Sequence, residues 1–460
     1  MKIDLIILCL CYGIITFIFL LDIINIFRRT RYISMYLLCK IMFCIVEGIV
    51  PLIIHAKYYK DLTLSPWNIY IEYSNKGINA LMLAGLFAVI GYIFISLGYH
   101  CKYKIVFSNK KFNVSSNLGL NYRYDKILRY TCMILLVISI ISMFIWTKAY
   151  GGIMGFIMNA NAIRSGVTKI NNSYGFFKHF ASVIAIPSYG FFILNIFAKK
   201  KKCMDIILWV VSVIFAVEYL LASDGRMTAG FYFISYVAIY MQSKSKLLGE
   251  KISYKTTAIT ICLFVLAMLL MLKMDDFTYF IRNGVWNISN ESQQNNLVES
   301  FIYELSFVVK SEQVVIMKSQ QIGLQFLNDI GYGLFAWLPS SLVPSSFPRL
   351  WTLNSELSGI KSGELPCGII AQGYYDLRII GIMVFPFIYG WIIKAMDSIE
   401  IRNPYGMTMY AALFYSIIRL VSYGMVYDLI QGLFDVFVLI IVYFILSQIL
   451  KINVNNKHIG

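Results

Sequence analysis

Apolar residues run along this chain in continuous blocks, each long enough for a helix of about 18–25 residues to cross a bilayer core. Short basic or mixed polar stretches separate them. A β-barrel would instead alternate polar and apolar positions over short strands. The blocks predict eleven transmembrane helices, at about 3–27, 33–56, 78–99, 130–146, a fifth ending at Lys199, 206–222, 227–241, 256–272, 379–395, 407–425 and 429–450. The first block is too long for a signal-peptide core and has no small-residue cleavage site, so it is expected to stay.

Charge then orients the blocks. Arg28, Arg29 and Arg31 follow the first; Lys102, Lys104, Lys110, Lys111, Arg123, Lys126 and Arg129 face a single acid, Asp125, between the third and fourth. Lys199 to Lys202, Lys244, Lys246, Lys251, Lys255 and Lys451 fall on the same side of the alternation. By the positive-inside rule that side is cytoplasmic, with the N-terminus outside and the C-terminus inside. The stretch 274–364 lands outside and holds nine acids against five bases. The expected fold is therefore an all-α polytopic membrane protein: helices one to eight over 1–273, a large external helical cap over 274–364, and helices nine to eleven with a cytoplasmic tail over 365–460.

Composition agrees. The chain is 59% hydrophobic and 14% charged, against about 45–50% and about 25% for soluble domains. That excludes a water-soluble enzyme, a disordered chain and a disulfide scaffold. The net charge of +16 reads as topology, because the bases sit between apolar blocks, and no nucleic-acid partner is expected. Of nine cysteines only Cys367 falls outside, so no disulfide framework is implied, and no Cys/His cluster suggests zinc.

The long external segment carries many aromatics, among them Phe277, Trp286, Phe301, Phe307 and Trp337. The stretch 297–315 has the mixed spacing of an amphipathic helix, which predicts a folded cap lying on the bilayer surface. A cap that only packs is the plainer alternative. After the Pro339 and Pro344 punctuation, Pro366 reads as a helix start that sets Gln372 and Tyr375 one turn apart near the outer bilayer edge.

The run GELPCGIIAQGYYDLRIIGIMVFPFIYGW, residues 363–391, resembles the late signature of the bacterial O-antigen polymerases, the oligosaccharide repeat-unit polymerase family. Its members read Gly, Pro, a small residue, Ile-Ile-Ala, Glu, a residue, Tyr and then Asn-Phe-Gly. Here Gln372 stands where Glu is common, and Asp376-Leu377-Arg378 stands near the Asn-Phe-Gly position. YGGIMGFIMNANAIRSG, residues 150–166, is similar to the family's early external segment. SDGRMTAGFYF opens the seventh helix with a small-Gly-Arg element, and Arg419 lies inside the tenth. The resemblance covers most of the chain in layout but only these patches in residues.

It implies an integral-membrane glycosyltransferase of the bacterial inner membrane, with its active site facing the periplasm. Donor and acceptor are both oligosaccharides on polyprenyl diphosphate, and a single inverting displacement extends a surface polysaccharide. It leaves room for a chain-length regulator protein as a further partner, and it implies no cofactor.

Such a substrate needs cations at the outer interface, and arginine pairs bidentately with phosphate oxygens. Arg419 lies about twelve residues into its helix, roughly 18 Å from its cytoplasmic start. A charge at such depth costs about 2.5–3.5 kcal/mol and so faces protein or a water-filled cavity. Its structural alternative is an ion pair with Glu218, Asp428 or Asp435. Arg226 opens a helix beside Asp224 and Gly225, where a helix N-terminus favours anions; its alternative is snorkelling to the interface. Arg164 and Arg282 are external and can close over the phosphates, or can be solvated loop charges. Gln372 and Tyr375 are assigned to substrate by the resemblance, and Arg378 reads as a headgroup anchor.

A general base must take the acceptor's proton. The region 274–364 has no His, so its carboxylates are the candidates, with Asp275, Asp276 and Glu364 nearest the helix ends. No Asp-x-Asp occurs in the chain, which fits a metal-independent reaction, and no metal ligands are expected. His55 and His179 near the outer interface read as structural.

Two other functions share this layout. An O-antigen ligase relies on His in the large loop, which this loop lacks. A lipid-linked oligosaccharide flippase or another transporter would use Asp22, Lys40, Glu47 and Glu218 inside apolar blocks, but such folds have short loops and paired repeats.

Overall fold

A computed structural model of the chain describes residues 3–30, 34–57, 70–102, 122–160, 163, 173–197, 202–223, 225–246, 262, 302, 304–326, 328–335, 350–360, 365–398, 403–424 and 426–456. These residues form helices and no strand.

Helix α1 (Ile3–Thr30) buries Leu5, Leu8, Tyr12, Ile15 and Phe19, a stripe at spacings of three and four. Leu10, Ile14, Phe17 and Leu21 stay exposed on its other face, which is what lipid covers. Helix α2 (Met35–Lys57) starts where Leu37 N donates to Ser34 Oγ (3.1 Å) and Met35 N and Tyr36 N donate to the Asp397 carboxylate (3.0 and 3.1 Å). It widens into a π-turn at Ile45–Ile49 around Glu47. Helix α3 (Asn75–His100) is capped by Ser74, whose Oγ accepts from Gly77 N at 3.1 Å.

Next come α4 (Tyr122–Thr147), the short α5 (Gly152–Met158) and α6 (Phe177–Ser182), then α7 (Ala185–Phe197), α8 (Cys203–Ser223) and α9 (Arg226–Lys246). The segment between residues 302 and 360 contributes α10 (Phe307–Met317), α11 (Asn328–Phe335) and α12 (Leu350–Ser358). Helices α13 (Ile369–Asp397), α14 (Pro404–Tyr423) and α15 (Val426–Asn456) complete the order.

Eight helical stretches among the described residues are long and apolar enough to cross a membrane: Ile3–Thr30, Met35–Lys57, Asn75–His100, Asp125–Tyr150, Phe177–Ile196, Cys203–Ser223, Ile369–Asp397 and Leu429–Leu450. The chain is an all-α, multi-pass membrane protein. Of the remaining three predicted spans, 256–272 lies outside the described residues apart from Cys262. The other two are helical, as α9 and α14, without reaching that apolar length. The reason in α14 is burial: from Tyr410 to Gly424 only Arg419 is not buried, so protein surrounds this helix and tolerates its Ser and Tyr content.

Close helix approach needs small residues. Gly98 and Gly390 bring α3 against α13 backbone to backbone, where any Cβ would collide with Phe387 or Ile95. Some buried charges are paired. Lys40 is fully buried, donates to Tyr92 O (3.0 Å) and to Ser96 Oγ, and lies 3.7 Å from Asp22. Arg129 of α4 forks onto Asp205 of α8 at 2.6 and 2.7 Å.

Two ends of one bundle are distinguished by their contacts. At one end Asp397 meets the start of α2 and Tyr99 of α3. At the other, Tyr423 meets Phe231 of α9 (ring centroids 5.7 Å) and Phe307 of α10 (5.8 Å), and Tyr427 meets Tyr332 of α11 (5.8 Å). The loop before α3 joins this second end, because Gln313 of α10 exchanges hydrogen bonds with the Glu72 backbone at 3.0 and 2.7 Å.

Helix α10 falls in the stretch read as amphipathic, but from Phe307 to Val315 it buries every residue except Lys310. Its polar side chains find partners inside the protein. Asn354 of α12 donates to Ser311 Oγ (2.8 Å) and to the carbonyls of Leu365 and Pro366 (both 3.0 Å).

Candidate functional site

Helix α14 begins with Pro404 behind an Asn403 cap and ends at Gly424, whose left-handed φ of 66° suits glycine. One turn before that end, Arg419 opens on a small cleft of about 50 Å³. Gly432 of α15 lies against Ser416, where no side chain would fit, and this close crossing sets Arg419 across from Gln431 and Asp435. Lys178, His179 and Ser182 of α6 form the facing wall, and Tyr219 and Leu220 of α8 part of the remainder.

The lining carries Lys178 and Arg419 against one carboxylate, Asp435. Arg419 lies over the Tyr415 ring, 5.5 Å from Cζ to centroid, and Lys178 Nζ is 5.8 Å from the Trp146 ring. A polar chain crosses the cleft wall. His179 Nδ1 is 3.0 Å from Gln431 Oε1, and Gln431 Nε2 donates to Ser182 Oγ at 3.2 Å. Ser182 Oγ in turn lies 3.0 Å from Asp435 Oδ1. Rings from α6 and α15, His179 and Phe180 on Phe434, hold these helices together. Chemically the lining brings a guanidinium and an ammonium together with hydroxyl, imidazole and carboxylate groups within one small space.

Of the predicted residues, Arg419 is the one the structure places on this lining. Arg226 is the first residue of α9 and follows Gly225, whose φ is 98° and whose N donates to Leu220 O at 2.7 Å. That turn is thus anchored on a residue lining the cleft. Asp275, Asp276, Glu364, Arg164 and Arg282 lie outside the described residues.

Gln372 and Tyr375 do sit one turn apart on α13, yet both are fully buried and turned into protein. Tyr389 OH donates to Gln372 Oε1 and Tyr375 OH to Asn354 Oδ1, each at 2.9 Å. Arg378 also differs from its reading as a headgroup anchor. Helix α13 breaks at Leu377 and at Arg378, which has a φ of 57°. The Arg378 guanidinium donates to the carbonyls of Tyr374, Ser319 and Ile322. Tyr374 lies in the last turn before the break, whereas Ser319 and Ile322 follow the C-terminal end of α10, so this arginine ties the two helix ends together.

Sequence reasoning did not bring Lys178, Ser182 and Gln431 to the site, and it read His179 as structural. One signal was available: Gln431 and Asp435 are four apart in an otherwise apolar block, so they share a helical face.

A second polar group lies where α10 meets α2. Glu312 and Glu47 adjoin there, both buried. Burial first, and the Glu47 carboxyl second, push Glu312 well above the usual carboxylate range.

Comparison with models of known protein families, with curated proteins and with solved structures gives no match.

Proposed function

We propose that this chain is a glycosyltransferase of the repeat-unit polymerase type, which joins oligosaccharides carried on polyprenyl diphosphate into a surface polysaccharide. The observation that carries this reading is the cationic cleft at Arg419 and Lys178, set at the bundle end where α10, α11 and α12 gather. In this reading that end is external, α10 to α12 belong to the cap, and the membrane is the bacterial inner membrane.

The donor's diphosphate rests against Arg419 and Lys178 while its prenyl chain stays in lipid. A hydroxyl of the acceptor sugar attacks the anomeric carbon of the donor. The bond from that carbon to the diphosphate oxygen breaks, and the lipid diphosphate departs with its added charge held by the guanidinium. The hydroxyl proton passes to a base, for which Asp435 and His179 stand on the lining and Asp275, Asp276 and Glu364 remain candidates from the sequence. Arg164, Arg226 and Arg282 are further phosphate ligands in this reading.

The test is a surface polysaccharide profile. Arg419→Ala should abolish long polymer and leave single repeat units, with the protein still present in the membrane. Removing a preorganised charge of this kind lowers turnover by about 10²–10³. Arg419→Lys should also fail if the bidentate fork matters. A normal ladder from Arg419→Ala would refute the reading, and loss of all external repeat units on deletion of the protein would favour a flippase.

A further inference from the structure

Helix α10 turns its apolar residues inward from Phe307 to Val315, whereas the chain that follows carries some of its own outward. Leu324 is exposed, Phe326 is 57% exposed, and Leu334 of α11 is 58% exposed. Residues 319–335 hold a single charged side chain, Asp329, and it is buried. An outward surface with large apolar groups and no charge suits the border between water and acyl chains better than water alone.

Two attachments fix the level of this surface. At one, Gln325 N and Phe326 N donate to Tyr375 O (3.2 Å) and Asp376 O (3.1 Å). The Arg378 guanidinium holds the same stretch through Ser319 O (2.7 Å) and Ile322 O. These partners sit at the break in α13, just before Ile379. From Ile379 to Asp397 the helix runs for about 19 residues, or roughly 28 Å, against a hydrocarbon core of about 30 Å. Asp397 belongs to the opposite end of the bundle, so the break stands where the span leaves the core. At the other attachment, α11 meets the first turn of α15. Tyr332 faces Tyr427 (ring centroids 5.8 Å), and Gly333 lies against Ile430, where the apolar span Leu429–Leu450 begins. Helix α11 and the turn before it are therefore held level with two membrane entries at once.

The exposed apolar face continues onto both spans. Ile379 and Ile380 follow the break and are exposed, and Val384 and Ile388 extend the stripe along α13 at spacings of four. Leu433 and Phe437 do the same on α15. Phe326 adds a conformational sign, because its φ of 51° is one that a bulky residue rarely takes. A backbone of that kind, turning a phenylalanine outward, is offset when apolar surroundings cover the ring.

We propose that Leu324, Phe326 and Leu334 insert among the acyl chains of one leaflet, so that α11 and the turn before it rest on the bilayer. The lipid surface then anchors this part of the chain beside the break in α13. The proposal depends neither on which side of the membrane is external nor on the glycosyltransferase reading.

The test uses the full-length protein in phosphatidylcholine liposomes. Phe326→Trp and Leu334→Trp are each compared with the parent chain, which has seven tryptophans. Replacing the lipid by phosphatidylcholine brominated on its acyl chains should remove most of the emission that each new tryptophan adds. Added emission that survives the brominated lipid in either variant overturns the proposal. Aqueous iodide then tells the two failures apart: quenching places the residue in water, and its absence places the residue against protein. If Phe326→Trp fails to assemble, Leu324→Trp decides by the same criterion.

Discussion

Arg129→Leu would leave Asp205 without its counter-charge. The two side chains are 8% and 0% exposed and meet through bonds of 2.6 and 2.7 Å, so water screens little of the interaction. Removing one partner of such a pair costs about 3–5 kcal/mol, because the remaining charge stays buried. Asp205 lies in the first turn of α8, where the helix dipole offsets about 0.3–1 kcal/mol of that. The net loss is about 2–4 kcal/mol, or a fall of about 2–4 °C in unfolding temperature for a chain of 460 residues. A thiol-reactive dye reads the transition, since Cys39, Cys44, Cys132 and Cys367 are buried and free. Arg129→Met combined with Asp205→Leu should recover most of the loss, because an apolar pair of similar volume needs no counter-charge. An unfolding temperature for Arg129→Leu within about one degree of wild type would refute the assignment of this pair as a clamp between α4 and α8.

Three further outcomes follow from named groups. Because Glu312 titrates above its ordinary value when folded, its contribution to stability is complete below about 4.5 and is lost as pH rises through the raised folded value. Limited proteolysis near Lys318 should therefore speed up between mildly acidic and alkaline buffer, and Glu312→Gln should flatten that response; an unchanged slope in the variant would remove Glu312 as its source. A membrane-impermeant maleimide should label Lys76→Cys in intact cells and Lys102→Cys only after lysis, with the parent chain as background; the reverse pattern would invert the proposed orientation. Asn354→Leu should destabilise the protein by about 1–3 kcal/mol, since Ser311 Oγ and the carbonyls of Leu365 and Pro366 lose their donor. A thermal shift below one degree would show that those groups find other partners.

Helix class and most helix positions could be read directly from the chain. A lipid-facing helix must be apolar over its whole crossing, and a run of that kind is visible without any contact being known. The prediction of a span over 379–395 is an instance: the break at Leu377 and Arg378 leaves Ile379–Asp397 as the long arm of α13. Arg419 could be singled out for the same reason, as a charge inside an apolar block has few explanations.

The partners of those charges were not legible. Gln372 and Tyr375 keep their predicted spacing, but Tyr389, fourteen positions past Tyr375, and Asn354, in another helix, decide that they turn into protein. The cleft at Arg419 draws on α6, α8, α14 and α15, and the pair Glu47 with Glu312 joins separate helices. Local pattern reports what each helix shows to lipid, whereas a polar group inside the bundle is specified by which distant helix packs against it, and only the tertiary structure decides that.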